Sequence, residues 1–197
     1  MFVFGHTGIG RTIAAPFARG LPERWILAGT LLPDVIDKPL YYGMKLLTGL
    51  SAVDIGLISG TRTFGHTGAL MIAFSALAAL FGSRPAAALA LGSATHLLLD
   101  ALLDLSSGGL PWENGVVVAI LFPFAGFRFP ITPHADATAH AWSLVRPEIL
   151  VTEIVGIFLL GWHYWKDRHE NAIIRDARDF AQRVRKKFSW RRKQLKP

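Results

Sequence analysis

Histidines and aspartates stand at the ends of apolar segments of this chain, in types and spacings that suit metal binding. The pentapeptide Phe-Gly-His-Thr-Gly occurs at Phe4–Gly8 and again at Phe64–Gly68, and each copy opens a mostly apolar stretch. Another apolar stretch carries His96 and Asp100 at a spacing of i,i+4, and a further one ends in Leu32–Asp37. The chain has no cysteine, so a bound metal must be held by imidazole, carboxylate or backbone groups. We therefore predict a buried metal site.

Helices have to bring these candidate ligands together. No alternating strand pattern of useful length occurs, so the chain is predicted to be all-α. Helices are predicted at residues 8–18, 25–32, 67–83 and 85–99. The first and third start at the pentapeptides, the second returns to end at Asp34 and Asp37, and the fourth returns with His96 and Asp100. Antiparallel packing then collects six residues at one end of a four-helix bundle. They are His6, Asp34, Asp37, His66, His96 and Asp100.

The composition indicates a membrane protein. Hydrophobic residues make up 51% of the 197 residues, charged residues 18%, and the mean hydropathy is +0.35. Segments 67–83, 85–99 and 149–165 are candidate spans when slightly extended, while 116–127 is shorter and either crosses obliquely or re-enters. Glu153, inside the last span, is expected to pair with an arginine or to reach the site. We predict a polytopic helical bundle with about five membrane-associated helices.

The positive charge is concentrated at the C-terminus. Lys166–Pro197 contains twelve Lys/Arg and four Asp/Glu, against a net charge of +7 for the whole chain. Two regions are therefore predicted, a membrane-embedded domain at 1–165 and a basic amphipathic helix at 166–197. The positive-inside rule places this tail in the cytoplasm, at the surface of an inner membrane. A solvated tail helix and a nucleic-acid-binding tail are the alternatives, and we favour membrane lipids as the partner.

A second polar group follows the short apolar segment. It contains His134, Asp136 and His140. The preceding Thr132-Pro133 resembles an N-cap and first helical position. We interpret this group as a solvated helix rather than a metal site, at the opposite end of the bundle if 116–127 crosses.

The order of these elements resembles a known family. The matching positions are His6, Asp34 and Asp37, Arg62 with His66 and Thr67, His96 and Asp100, and Pro123-Phe124. They resemble the YdjM-like membrane-bound metal-dependent hydrolases, also called LexA-binding, inner-membrane-associated hydrolases, over roughly the first 130 residues. The resemblance implies a helical inner-membrane protein with hydrolase activity. Because the family is distantly similar to zinc-dependent phospholipase C, it also points to phosphoester substrates. Thr61 stands where the family often has a histidine, so one possible ligand or base is absent.

Our hypothesis is a membrane-bound hydrolase that uses one or two divalent ions on a lipid or lipid-linked phosphoester. The ligand types suit zinc, and they suit manganese and iron too. The ion would activate a water, Asp37 or Asp100 could serve as general base, and Arg62 is placed to hold an anionic group. The alternative is a non-enzymatic membrane protein that binds a metal or a regulator. The site faces the cytoplasm if 116–127 crosses, and the outside if it re-enters.

Overall fold

The computed structural model describes residues 2–52, 54–108, 111–131, 134 and 136–169, and this part is helical with no strand. The all-α prediction is confirmed. The chain divides into two units, residues 1–159 and 160–197. In the second unit residues 160–169 are helical, and the predicted amphipathic helix falls almost wholly at 170–197, outside the described residues.

The first half of the first unit contains a short irregular helix and a long one. A π-helical turn at Gly5–Ile9 continues into α1 (Gly10–Ala14), which tightens into a 3-10 turn and ends at Phe17. Helix α2 runs over Glu23–Thr48. The prediction that this helix ends near Asp34 was wrong, because α2 continues through Pro33.

Helix α2 continues through Pro33 because a neighbouring helix supplies a hydrogen-bond donor in place of the missing N–H. Pro33 has no N–H for the carbonyl of Gly29, four residues earlier. The hydroxyl of Ser93 donates to that oxygen at 3.2 Å. Ser93 belongs to α4 (Arg84–Ser106), which follows α3 (Gly68–Phe81). The two helices α2 and α4 thus share a polar contact at their crossing.

Helices α2 and α4 cross at two glycines, which is what brings the candidate ligands together. A Cβ on Gly92 would lie 2.2 Å from the carbonyl oxygen of Ile26, and one on Gly29 would lie 2.6 Å from that of Leu89. No side chain fits there, so the backbones approach directly. The ligand-bearing turns just beyond the crossing are held close together as a result.

One helix of the described part, α4, is long and apolar enough to cross a membrane, and it lies at the centre of the bundle. The apolar α3 is shorter, with 14 residues. Over the segment 116–127 only α6 (Val116–Ile120) is helical, after α5 (Pro111–Asn114). Its five residues rise about 7.5 Å, far short of a bilayer core of about 30 Å. The alternative in which this segment crosses as a helix was wrong.

The remaining elements of the first unit follow as α7 (Ala137–Trp142), a 3-10 turn at Ser143–Val145 and helical residues at 147–159. The N-cap of α7 is Asp136, whose side chain accepts from the N–H of Ala139 at 2.7 Å. The predicted cap Thr132-Pro133 lies outside the described residues.

Candidate metal centre

Two histidines face each other with their outward nitrogens fixed by the backbone and by a carboxylate. The Nδ1 atom of His96 lies 2.7 Å from the carbonyl oxygen of Thr30, and that of His66 lies 2.7 Å from Oδ2 of Asp37. A carbonyl and an ionised carboxylate only accept, so both Nδ1 atoms carry hydrogen. The two Nε2 atoms are left to point at one another, 3.1 Å apart.

Two Nε2 lone pairs at this distance repel each other unless a cation lies between them. A proton on His66 can fill that role: burial lowers the pKa of this ring, but the carboxylates of Asp100 and Asp37 outweigh it and raise the pKa above the ordinary value. A metal ion fills it equally well, because ligating histidines usually donate their other N–H to a carboxylate or carbonyl group. His66 and His96 both show this arrangement.

Two carboxylates complete a set of four ligand atoms. From Nε2 of His66, Oδ1 of Asp34 lies at 3.9 Å and Oδ2 of Asp100 at 3.6 Å. From Nε2 of His96, the same two atoms lie at 4.0 and 3.8 Å. A tetrahedral ion with bonds of about 2.0–2.2 Å separates its ligands by about 3.3–3.6 Å. Asp34, His66 and His96 offer ligand atoms that all lie within 4.8 Å of one another, and small movements would let these atoms and Asp100 hold a metal ion.

Asp37, predicted as a ligand, has a different environment from the other two aspartates. It is fully buried, and its two oxygens accept from the N–H groups of Thr63, Gly65 and His66, from the hydroxyl of Thr63 and from the His66 ring, at 2.7–3.2 Å. No lone pair is directed at the four ligand atoms. The structure places Asp37 behind His66, where it orients the ring.

Basic side chains hold the two ligand carboxylates. Lys38 Nζ lies 2.6 Å from Oδ2 of Asp34, which leaves Oδ1 toward the histidines. Burial alone would raise the pKa of Asp34, but Lys38 and His96 outweigh it and lower the pKa. The Nε atom of Arg62 lies 3.2 Å from Oδ2 of Asp100.

Arg62 is also committed to a second carboxylate. Its Nη1 atom lies 2.8 Å from both oxygens of Asp104, and Asp104 accepts from the N–H of Val116 at 2.9 Å. The guanidinium predicted to hold a substrate anion therefore ties the loop before α3 to α4 and α6. It positions Asp100 in the process.

His6 completes the cluster from the N-terminal turn. Its ring is fully buried and stacks on that of His96, with centroids 3.8 Å apart. Neither ring nitrogen has a hydrogen-bond partner among the described residues, although Nε2 lies 3.4 Å from Oδ1 of Asp100. Burial lowers the pKa of His6 and so favours the neutral ring. His6, His96 and Asp100 form a second possible ligand group, but His96 has only Nε2 available for either group.

Glu153 secures the turn that carries His6. This buried carboxylate accepts from the N–H groups of Phe2, Phe4 and Gly5 at 2.9–3.0 Å. Within the described ranges it neither pairs with an arginine nor reaches the four ligand atoms, contrary to the expectation from the sequence. The helical residues 147–159 therefore help to build the site.

A cavity of about 240 Å³ opens above the cluster. Asp34, Asp100 and Arg62 line it, together with Lys38 and Arg146. His134 and His140 line it too, so the second polar group lies beside the first and not at the opposite end of the bundle. These two rings stack with centroids 4.7 Å apart, and Nδ1 of His140 lies 2.7 Å from the hydroxyl of Tyr42.

The structure thus brings His6, His66, His96, Asp34 and Asp100 together and sets Asp37 behind them. Sequence reasoning missed the backbone acceptor Thr30 and the partners Lys38 and Asp104, although spacings of i,i+4 relate Lys38 to Asp34 and Asp104 to Asp100.

Comparison of the chain with protein-family models, with curated proteins and with solved structures gives no match.

Proposed function

We propose that this chain is a membrane-bound metal-dependent hydrolase that acts on a phosphoester in a lipid or lipid-linked substrate. The observation that carries the proposal is the pair of Nε2 atoms at 3.1 Å, with both Nδ1 atoms occupied by acceptors and two carboxylate oxygens within 4.0 Å. The resemblance to the YdjM-like hydrolases supports the reaction class. In this proposal a single ion, Zn²⁺ before Mn²⁺ or Fe²⁺, is held by His66, His96, Asp34 and Asp100.

The charges around the cavity support an anionic substrate. Four carboxylates and three basic side chains line it, which gives a formal charge of −1. They are Asp34, Asp100, Asp104, Glu148, Lys38, Arg62 and Arg146. One divalent ion changes the sign to +1, so an anion is attracted only when the ion is present. Lys38 and Arg146 are the basic groups that the proposal assigns to the phosphate.

When bound, the ion polarises a phosphoryl oxygen and lowers the pKa of water. The chain's own residues handle the proton. Asp37 already accepts five hydrogen bonds, so Asp100 is the carboxylate that we assign as general base. Its Oδ1 atom can accept a proton and pass it to Nε2 of His6, 3.4 Å away.

The exposed apolar surface supports membrane attachment. Helix α3 has no buried residue, and its only polar side chain is Ser75. A helix that is apolar on every side suits a lipid environment or a protein core. Large apolar side chains of α3 and of residues 147–159 are exposed: Ile72, Leu77, Leu80, Phe81, Leu150, Val151, Ile154 and Phe158. We propose an inner-membrane protein with several membrane-associated helices and a cytoplasmic basic tail.

Metal analysis and turnover test the proposal. Purified wild-type protein should carry about one transition-metal ion per chain, the His96→Ala variant should lose it, and His163→Ala, outside both ligand groups, should retain it. A panel of phospholipids and phosphodiesters should be cleaved only by the metal-loaded protein. Metal binding without cleavage would favour a non-enzymatic metal-binding protein, and equal, low metal content in wild type and His96→Ala would remove the basis of the proposal.

Sidedness has its own test, because the native chain has no cysteine. Because the segment 116–127 does not cross as a helix, the site faces outward in this proposal: Ser51→Cys should react with an impermeant reagent from the outside and Gln194→Cys from the cytoplasmic side. Reaction of Gln194→Cys from the outside would contradict the proposed topology.

A further inference from the structure

A second cavity lies against the metal cavity and differs from it in character. It measures about 530 Å³ and is lined mainly by apolar side chains of α5, α6 and the segment that follows α6. The large ones are Trp112, Val118, Leu121, Phe127, Phe129 and Ile131. Glu113 and Arg128 are the charged residues among those described along it. We call this cavity the apolar groove.

The apolar groove and the metal cavity share a wall. Asn114 and Ile131 line both. The N–H of Ile131 donates to Oδ1 of Asn114 at 2.8 Å, and Nδ2 of Asn114 donates to the carbonyl of Ile131 at 3.4 Å. This pair joins the end of α5 to the segment before residue 134. The pair therefore marks where the two cavities meet.

The groove has a firm base and an exposed rim. The rings of Phe122 and Phe129 stack with centroids 4.3 Å apart, and Phe129 is buried. At the rim, Phe127 is 77% and Trp112 63% exposed. Large aromatic side chains in such positions gain most when an apolar ligand covers them. The metal cavity, in contrast, is polar and charged, so the combined site suits a ligand with a polar head and an apolar chain.

We propose that the apolar groove holds the hydrocarbon chain of a single-chain amphiphile whose phosphoester lies in the metal cavity. This inference rests on the proposed function and specifies its substrate: one hydrocarbon chain lies in the groove that shares Asn114 and Ile131 with the metal cavity. The groove volume falls within the range of about 300–1,000 Å³ that small-molecule sites occupy. The Asn114–Ile131 pair marks the boundary between head and chain.

Equilibrium binding of lysophospholipids with increasing chain length tests the inference without requiring turnover. The probes carry bromine on the chain and are used below their micelle concentration, and quenching of Trp112 reports binding, with Trp112→Phe as the background. Affinity for the metal-loaded protein should rise by up to about fourfold per methylene, the factor that corresponds to about 0.8 kcal/mol, until the groove is full. A chainless glycerophosphodiester should bind without any contribution from the groove.

Filling the groove should shorten the chain that fits. We expect Ala125→Trp, and independently Val118→Trp, to weaken binding of long-chain probes at least tenfold while the affinity for the chainless phosphodiester stays within about twofold. Ile72→Trp, on the exposed face of α3, is the matched control and should change neither. A groove variant that does not bind metal is taken to have failed to fold. The other groove variant then provides the test.

The outcomes separate this inference from the proposed function. Affinity that does not depend on chain length, or groove variants that leave long-chain binding unchanged, would overturn the groove assignment even if the protein hydrolyses phosphoesters. An equal loss of affinity for the long-chain and the chainless probes would overturn it too, because the groove variants would then act on the metal cavity. The inference is supported if affinity rises with chain length and both groove variants weaken binding of the long-chain probes, whether or not the protein hydrolyses them.

Discussion

Replacing Asp37 by asparagine removes a charge but none of the four proposed ligands. The carboxylate accepts two hydrogen bonds at Oδ1, from Gly65 N–H and the Thr63 hydroxyl, and three at Oδ2, two of them from His66. Asparagine keeps one acceptor oxygen and presents an NH₂ donor in place of the other. The amide will turn its NH₂ toward Gly65, because the Thr63 hydroxyl can rotate to accept.

The cost of this substitution has two parts. The buried N–H of Gly65 loses its acceptor, which should lower the free energy of unfolding by about 1–3 kcal/mol. The Nδ1–H of His66 then donates to a neutral oxygen, and such a bond is about half as strong as one to a carboxylate. The ring becomes a weaker and less firmly oriented ligand. Loss of a partner of this kind lowers metal affinity by about 10–100-fold, or about 1.4–2.8 kcal/mol.

The assay is a competition for metal between a chromophoric chelator and the detergent-solubilised protein at fixed pH. Asp54→Asn, in the exposed loop that follows α2, is the matched control and should leave affinity unchanged. An affinity of Asp37→Asn within about threefold of wild type would refute the argument that His66 is held for a metal. A loss as complete as that of His96→Ala would instead make Asp37 a ligand.

Further expectations concern helix packing, the N-terminal turn and pH. Gly92→Ala places a methyl group 2.2 Å from the carbonyl of Ile26 and should abolish metal binding and lower the melting temperature, whereas Gly43→Ala, with open space around it, should stabilise α2 by about 0.5–1 kcal/mol. Glu153→Gln should expose the amides of Phe2, Phe4 and Gly5 to hydrogen exchange, and an unchanged exchange pattern would show that the carboxylate does not hold the turn. Burial and Lys38 lower the pKa of His140 to about 4, so the unfolded chain binds the extra proton and stability should fall as pH drops from about 6.5 to 4. Unfolding of His140→Asn over the same pH range should show a shallower fall, and an identical slope would contradict the assignment.

The sequence predicts the meeting of the ligands because it depends on chain direction alone. His96 and Asp100 share a helix face, and each pentapeptide opens a helix, so antiparallel packing is enough to collect them. The different roles of Asp34 and Asp37 do not follow from chain direction. A spacing of i,i+3 puts both on one face, but only the fold of the loop before α3 directs five donors onto Asp37.

Long-range partners account for the rest of what the sequence did not predict. The carboxylate of Glu153 meets the amide of Gly5 across 148 positions, and no local pattern encodes that contact. The continuation of α2 through Pro33 depends on a hydroxyl from α4 that replaces a missing N–H. In both cases a local rule was outweighed by a group from another helix.

The two copies of the pentapeptide show how the same short sequence can serve different chemistry. In each copy a buried carboxylate from a distant helix accepts the N–H of the glycine before the histidine, Glu153 in the first and Asp37 in the second. Only Asp37 also reaches the ring of its histidine, so His66 is fixed with Nε2 toward the centre. His6 has no such partner in the described part of the chain and lies flat against a neighbouring ring. A metal ligand needs a fixed lone pair, whereas a proton acceptor does not. We therefore assign metal binding to His66 and proton acceptance to His6.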